Sequence, residues 1–328
     1  CLEALSAFAS TAGSLKGPDE QQAIKEFLDF RALADVNKVS MSDNTRKKVK
    51  EYAPTVFRQL RCRLPGCSTS VLAAAFGVEQ LQHWTQLGAL GRSGSQLWRC
   101  PTGAFMLKTV SKREAHTLLR CLPFFLSHVE RTPHTLLSLP LCLWRVKTLA
   151  RKGAKMTYYV VITPSVSLPG SRPTSVFDLK GSTVARRARE GDVVKKDLDL
   201  YQGFFKASSE EKLQLYLQIE KDVSLLRDLN LLDYSILVSS FKRGEEEGRH
   251  SHASTPFLFQ PKFDSNTIVY SIGVIDVLTD FSVTKRCCLP SSSFYPTALF
   301  ELTFFLSLSF PYLSTFTHPV YTCSTPVP

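Results

Sequence analysis

Between Leu97 and Leu122 the chain has little freedom in what it can become. Residues suited to strands run from Leu97 and again from Ala104 to Val110, with Pro101-Thr102-Gly103 between them, which is the pattern of a hairpin. Ser111-x-x-Glu114 follows at once and reads as a capping box, in which hydroxyl and carboxylate each satisfy a backbone N–H of the first helical turn. Leu118, Leu119 and Leu122 then recur at helical spacing. A strand carrying Lys108 therefore runs straight into a helix. Glu114 could hold that lysine from the helix, and its capping role explains it equally well.

Further along, Tyr158 to Thr163 is an apolar run of strand length, and the Pro/Ser/Gly-rich stretch from Pro164 to Pro173 is a loop. A second capping box, Ser208-x-x-Glu211, opens a helix in which Leu213, Tyr216, Leu217, Val223 and Leu226 are expected towards the core. Ile268 to Val277 is rich in β-branched residues and reads as a strand enclosing Asp276 near its end. A carboxylate there is costly unless it has a partner or faces a cleft.

Charge narrows the partners. The 328 residues hold 40 Lys and Arg against 29 Asp and Glu, a net charge of +11, so an anionic partner is expected. The aromatic and basic interleaving or finger spacing of a nucleic-acid binder is missing, and no nucleic acid is expected. The nine cysteines lack repeated zinc-site spacing and read as free cytosolic thiols. No secretory signal opens the chain, and a first residue of Cys suggests a fragment.

Several groups suit phosphoryl transfer, which depends on holding nucleotide phosphates, a metal ligand and a positioned acid or base. Gly91-Arg92-Ser93-Gly94-Ser95 could cover phosphates, because glycine lets backbone N–H groups approach closely; an ordinary turn is the plainer reading. Lys108 could pair with phosphates. Asp178-Leu179-Lys180-Gly181-Ser182 sets an acid, a base and a flexible turn within five residues, and Arg186, Arg187 and Arg189 follow. From Arg172 to Lys196 seven basic residues face three acidic ones, which suits an anionic surface, a solvated basic loop being the alternative. Asp233 and Asp276 supply the two carboxylates that a base and a metal ligand require.

In this order the motifs resemble those of the phosphatidylinositol phosphate kinases. Glu51-Tyr52-Ala53-Pro54 with Val56-Phe57-Arg58 looks like the family's opening segment, Ser93-Gly94-Ser95 like its glycine loop and Leu107-Lys108-Thr109 like its nucleotide lysine. Pro133-His134-Thr135-Leu136-Leu137 is similar to its Pro-x-Thr-Leu-Leu run. Phe177-Asp178-Leu179-Lys180-Gly181-Ser182 matches its most distinctive signature, and Lys196-Asp197-Leu198-Asp199 also fits. Leu232 to Val238 resembles the catalytic segment, and Ile272 to Asp276 the strand presenting the metal-binding aspartate. Leu139-Pro140-Leu141-Cys142 replaces the family's Lys-Phe-x-Gly.

The resemblance implies a two-lobed, protein-kinase-like α+β fold, incomplete at its C-terminal part. Residues 1–50 would be a flexible basic lead-in, 51–163 the N-terminal lobe, 164–286 a C-terminal lobe truncated before the activation segment, and 287–328 a divergent, disordered tail. ATP and Mg2+ would be the cofactors. Ser93, Gly94, Ser95, Lys108 and Glu114 would serve the nucleotide, Asp276 the metal, and Asp233, Asp178 and Lys180 the catalytic step. Arg186, Arg187 and Arg189 would meet an anionic phosphoinositide membrane from the cytoplasmic side, as a peripheral protein. The nearest group is the type I, 4-phosphate 5-kinases, including its kinase-like branch. That implies either 5-phosphorylation of phosphatidylinositol 4-phosphate or a scaffold that binds and localises active type I kinases.

Overall fold

The computed structural model describes residues 48–76, 80, 83–90, 95–149, 155–168, 170–183, 185–201, 204–242, 257–260 and 268–280. Residues 1–47 of the lead-in, the 287–328 tail and residues 91–94 lie outside them, whereas residues 48–50, expected in the lead-in, belong to a strand of the first sheet.

In chain order the first elements are β1 (Lys48–Glu51), α1 (Pro54–Arg63), α2 (Thr69–Ala75), β2 (Thr85–Leu90), β3 (Ser95–Arg99) and β4 (Phe105–Val110). Then come α3 (Lys112–Arg131), β5 (Cys142–Leu149) and β6 (Lys155–Pro164). Pro54 opens α1 at a position where its missing N–H costs nothing. The six strands form one antiparallel sheet in the order β1-β5-β6-β4-β3-β2. The expected hairpin is β3–β4, with Trp98 opposite Leu107 and Gly103 at φ 76°, a left-handed value that favours glycine. The capping box closes as expected: Ser111 N donates to Glu114 Oε2 at 2.7 Å, and Glu114 N to Ser111 Oγ at 3.1 Å.

Next follow β7 (Ser175–Leu179), β8 (Val194–Lys195), a 3-10 turn at Asp197–Asp199, α4 (Ser209–Asp228) and β9 (Leu231–Leu232). The last elements are β10 (Ser235–Lys242), β11 (Leu258–Phe259), β12 (Ile268–Ile275) and β13 (Thr279–Asp280). A second sheet runs β11-β12-β10-β7-β8, antiparallel except for the β7–β8 pair, and β9 with β13 forms a short ribbon. Gly273 in β12 is a close-approach residue, since a Cβ there would stand 2.6 Å from Val166 Cγ2. The architecture is thus mixed helix and sheet, and one buried apolar cluster takes in Phe105, Leu118 and Val160 together with Phe177, Ile236 and Tyr270.

Helix α4 corrects one expectation. Its buried stripe is Leu215, Ile219, Asp222, Val223 and Leu226, while Leu213 and Leu217 are 46% and 44% exposed. The helix is apolar on more than one face, and tertiary packing selected the stripe four residues on from Leu215. That stripe carries a carboxylate with no exposure at all. Asp222 Oδ1 accepts from His128 Nε2 of α3 at 2.6 Å and from Thr135 Oγ1 at 2.8 Å, and Oδ2 accepts from Leu136 N at 2.7 Å. The 133–138 loop is in turn stitched to β12: Val274 N donates to Leu136 O and Ser138 N to Val274 O.

Two further buried groups mark the first sheet. Arg61 is buried on α1 and donates to the carbonyl of Leu141 at 2.7 Å, inside the divergent Leu139–Cys142 stretch, which is itself wholly buried at Leu139, Leu141 and Cys142. Glu51 is 6% exposed; burial pushes its pKa up to about 7, an effect that the Arg61 guanidinium only partly opposes. Burial likewise pushes the Cys67 thiol up to about 12 and the Cys121 thiol up to about 11, which keeps them protonated and inert.

Removing the Asp222 carboxylate strands three buried donors, so Asp222→Ala is expected to cost roughly 3 kcal/mol or more, read from the urea midpoint. Glu51 gives a pH signature. The unfolded chain ionises it near the ordinary 4.5 and the folded chain near 7, so between those values the fold holds the extra proton. The Glu51 contribution to stability is expected to be fully present below 4.5 and to be lost as pH rises through 7, about 3 kcal/mol at most. Glu51→Gln should flatten that fall in urea melts taken across the window.

Candidate active site

Three strands of the second sheet reach the same edge. Leu179, the last residue of β7, pairs with Ile236, and Ser235, the first of β10, pairs with Ile275, the last of β12. Lys180, Asp233 and Asp276 therefore emerge side by side. The backbone makes this edge unusual, because two segments leave the β10–β12 ladder here and re-pair as β9–β13, with Leu232 opposite Thr279. Each passage turns on an aspartate at φ 62°, Asp233 in one segment and Asp276 in the other. Aspartate tolerates that left-handed conformation better than most residues, and such strain gathers at functional sites. Asp276 thus lies just beyond its strand, which ends at Ile275 rather than Val277.

Lys108 reaches this edge from the other sheet. It stands in β4 between Leu97 and Val161, and its Nζ lies 2.6 Å from Asp276 Oδ1. Both side chains stay accessible, 29% and 46% exposed. Lys180 Nζ donates to the Asp233 carbonyl at 3.0 Å and lies 3.9 Å from its Oδ1. Tyr234, the next residue, is pushed up to about 12 by burial and stays a neutral phenol.

The remaining sequence candidates are distributed as follows. Asp178 lies in β7, and its Oδ1 accepts from Arg186 Nη2 at 3.0 Å. Glu114 is engaged in the α3 cap, while the carboxylate beside Lys108 is that of Asp276. Ser95 begins β3, whereas Ser93 and Gly94 lie outside the described residues. Arg187 and Arg189 are exposed, but the Arg186 side chain is only 12% exposed and turned inward onto Asp178 and Asp197. Two groups carry more than their sequence suggests. The Asp197 carboxylate accepts three hydrogen bonds, from Lys180 N, Gly181 N and Arg186 Nε, and its neighbour Asp199 is held below the ordinary carboxylate range chiefly by the backbone N–H of Ala188. Among the described residues no cluster of three or more His, Cys, Asp or Glu is preassembled for a metal ion. A lone accessible carboxylate beside a lysine suits Mg2+ carried in by phosphates, since Mg2+ commonly takes only one or two protein carboxylates.

The sequence model of the family described as Phosphatidylinositol-4-phosphate 5-Kinase matches residues 78–267. The chain belongs to the phosphatidylinositol phosphate kinase family. The matched span holds Lys108, Asp178, Lys180, Asp197 and Asp233 and stops short of Asp276. The chain is similar to phosphatidylinositol 4-phosphate 5-kinase 9 of Arabidopsis thaliana, 32% identical over 206 residues, which are 62% of this chain and 24% of that one. It is also similar to human phosphatidylinositol 4-phosphate 5-kinase-like protein 1, 37% identical over 159 residues, 47% of this chain and 39% of the relative. A third relative, phosphatidylinositol 4-phosphate 5-kinase 1 of Arabidopsis thaliana, is 30% identical over 222 residues, 66% of this chain and 28% of its own length. The chain thus spans about a quarter to two fifths of these curated relatives.

An accessible pair such as Lys108–Asp276 contributes little to folding, about 1 kcal/mol at most. Lys108→Met is therefore expected to leave the thermal melting temperature within a few degrees of the parent, which differential scanning calorimetry would check.

Proposed function

We propose that this member of the family transfers the γ-phosphate of ATP to the 5-hydroxyl of phosphatidylinositol 4-phosphate at a membrane surface. The observation that carries the reading is the meeting of Lys108 with Asp276 across the two sheets, at the edge where Asp233 and Lys180 also emerge. On this reading the sheets are the two lobes of a kinase-like fold and the nucleotide lies between them. Lys108 exchanges its hold on Asp276 for the nucleotide phosphates, neutralising charge that grows during transfer. Asp276 would be the residue to hold Mg2+, which would supply further neutralisation of the phosphate oxygens. Asp233 takes the proton of the attacking hydroxyl, with Lys180 close enough to steady its loop.

Arg187 and Arg189 supply exposed positive charge for an anionic bilayer, each worth about 1 kcal/mol near such a surface. Among the described residues no helix is long and apolar enough to cross a membrane, and the proposed attachment is peripheral, at the cytoplasmic face.

Incubating the purified chain with labelled ATP, Mg2+ and phosphatidylinositol 4-phosphate vesicles tests the reading. Label should enter the lipid, and Asp276→Asn should lower the rate by at least about 100-fold. ATP binding without turnover in the parent would replace the enzyme by a nucleotide-binding regulator, the form in which a scaffold for active type I kinases becomes the reading to pursue.

A further inference from the structure

The inward turn of Arg186 and the buried carboxylate of Asp197 have no part in the reading above. Asp197 opens a 3-10 turn that crosses beneath the end of β7, and its side chain is 5% exposed. One carboxylate oxygen accepts from two successive backbone amides, Lys180 N at 2.9 Å and Gly181 N at 2.8 Å. The other receives Arg186 Nε at 2.5 Å. Arg186 Nη2 then bonds Asp178 twice, at its carbonyl and at Oδ1. Leu198 N donates to Arg186 O at 3.0 Å, so the arginine's own backbone is fastened to the same turn. Gly181 sits at φ 68°, the left-handed value that lets the chain reverse directly after Lys180.

We infer that Asp197 is the positioning residue for Lys180, and that Arg186 serves it as an internal clamp and not as a membrane contact. A lysine side chain has four rotatable bonds and holds one place only if its backbone is fixed. Here the backbone at Lys180 and Gly181 has passed out of the β7–β10 ladder, which ends at Leu179–Ile236, so the sheet no longer holds it. Asp197 replaces the ladder with two hydrogen bonds to a charged acceptor, the stronger kind. Arg186 keeps that acceptor aimed, its Nε on Asp197 and its Nη2 on Asp178. The consequence falls on the far end of the side chain, where the Lys180 ammonium meets the Asp233 carbonyl.

The inference rests on the proposed kinase reading for its effect on turnover, and is read without turnover by two other measurements. Amine labelling followed by mass spectrometry should show Lys180 of Asp197→Asn reacting several-fold faster than in the parent, with Lys108 unchanged. Amide exchange should quicken at residues 180 and 181 in the same variant. Binding to vesicles containing an anionic phosphoinositide should be unaltered by Arg186→Gln and weakened by Arg187→Gln with Arg189→Gln. Where the parent turns over, Asp197→Asn should lower kcat by about tenfold or more with KM for ATP within twofold, and should add nothing in a Lys180→Met background. Equal labelling of Lys180 in parent and variant would overturn the inference whatever the activity. So would an Asp197→Asn loss that persists undiminished on top of Lys180→Met, because the aspartate would then act elsewhere.

Discussion

One buried carboxylate organises the junction on which the rest depends. Asp222 has no access to water, and a polar side chain in that position is tolerated only when its oxygens find donors. It finds three, from α3, from the 133–137 loop and from that loop's backbone. The same loop is bonded on its other side to Val274, two residues before Asp276. Helix α3 follows directly on the strand of Lys108. A single buried side chain thus ties the element behind the lysine to the strand that presents the aspartate, and the accessible Lys108–Asp276 pair can meet without contributing much to stability itself.

How much of this was legible in the residues divides along physical lines. Local chemistry was legible: the Pro101–Gly103 turn, both Ser-x-x-Glu caps and the Ile268 strand all rest on interactions within a few residues of chain, and each forms. Helix α4 shows where that stops. Its pattern is apolar at 213, 215, 216, 217 and 219, and local periodicity could not choose among stripes that differ only in what packs against them. The buried stripe is the one whose aspartate has partners 94 and 87 residues away, information absent from any window along the helix.

The site divides in the same way. Lys108, Asp233 and Asp276 were readable as residue types in a familiar order, and the sheets bring them to one edge. Glu114 shows the ambiguity of a single acid, since a cap and a lysine partner call for the same residue at the same place. Arg186 was readable as one of three neighbouring arginines of equal promise. Its burial follows from two aspartates on opposite sides of it in the chain, and only the fold shows that Arg187 and Arg189 stay exposed.

The double passage at Asp233 and Asp276 sets the tolerance of this edge to change. The spacing between the two carboxylates is fixed by backbone pairing on both sides of them, Ser235 with Ile275 and Leu232 with Thr279, so it is a property of strand register and not of neighbouring side chains. Substitution around the edge leaves that spacing alone, whereas gain or loss of one residue between 231 and 235, or between 275 and 279, would put the aspartates on opposite faces. The connection from Lys242 to Ile268 leaves the ladder at its other end, so its length can drift from one relative to the next without the carboxylates moving apart.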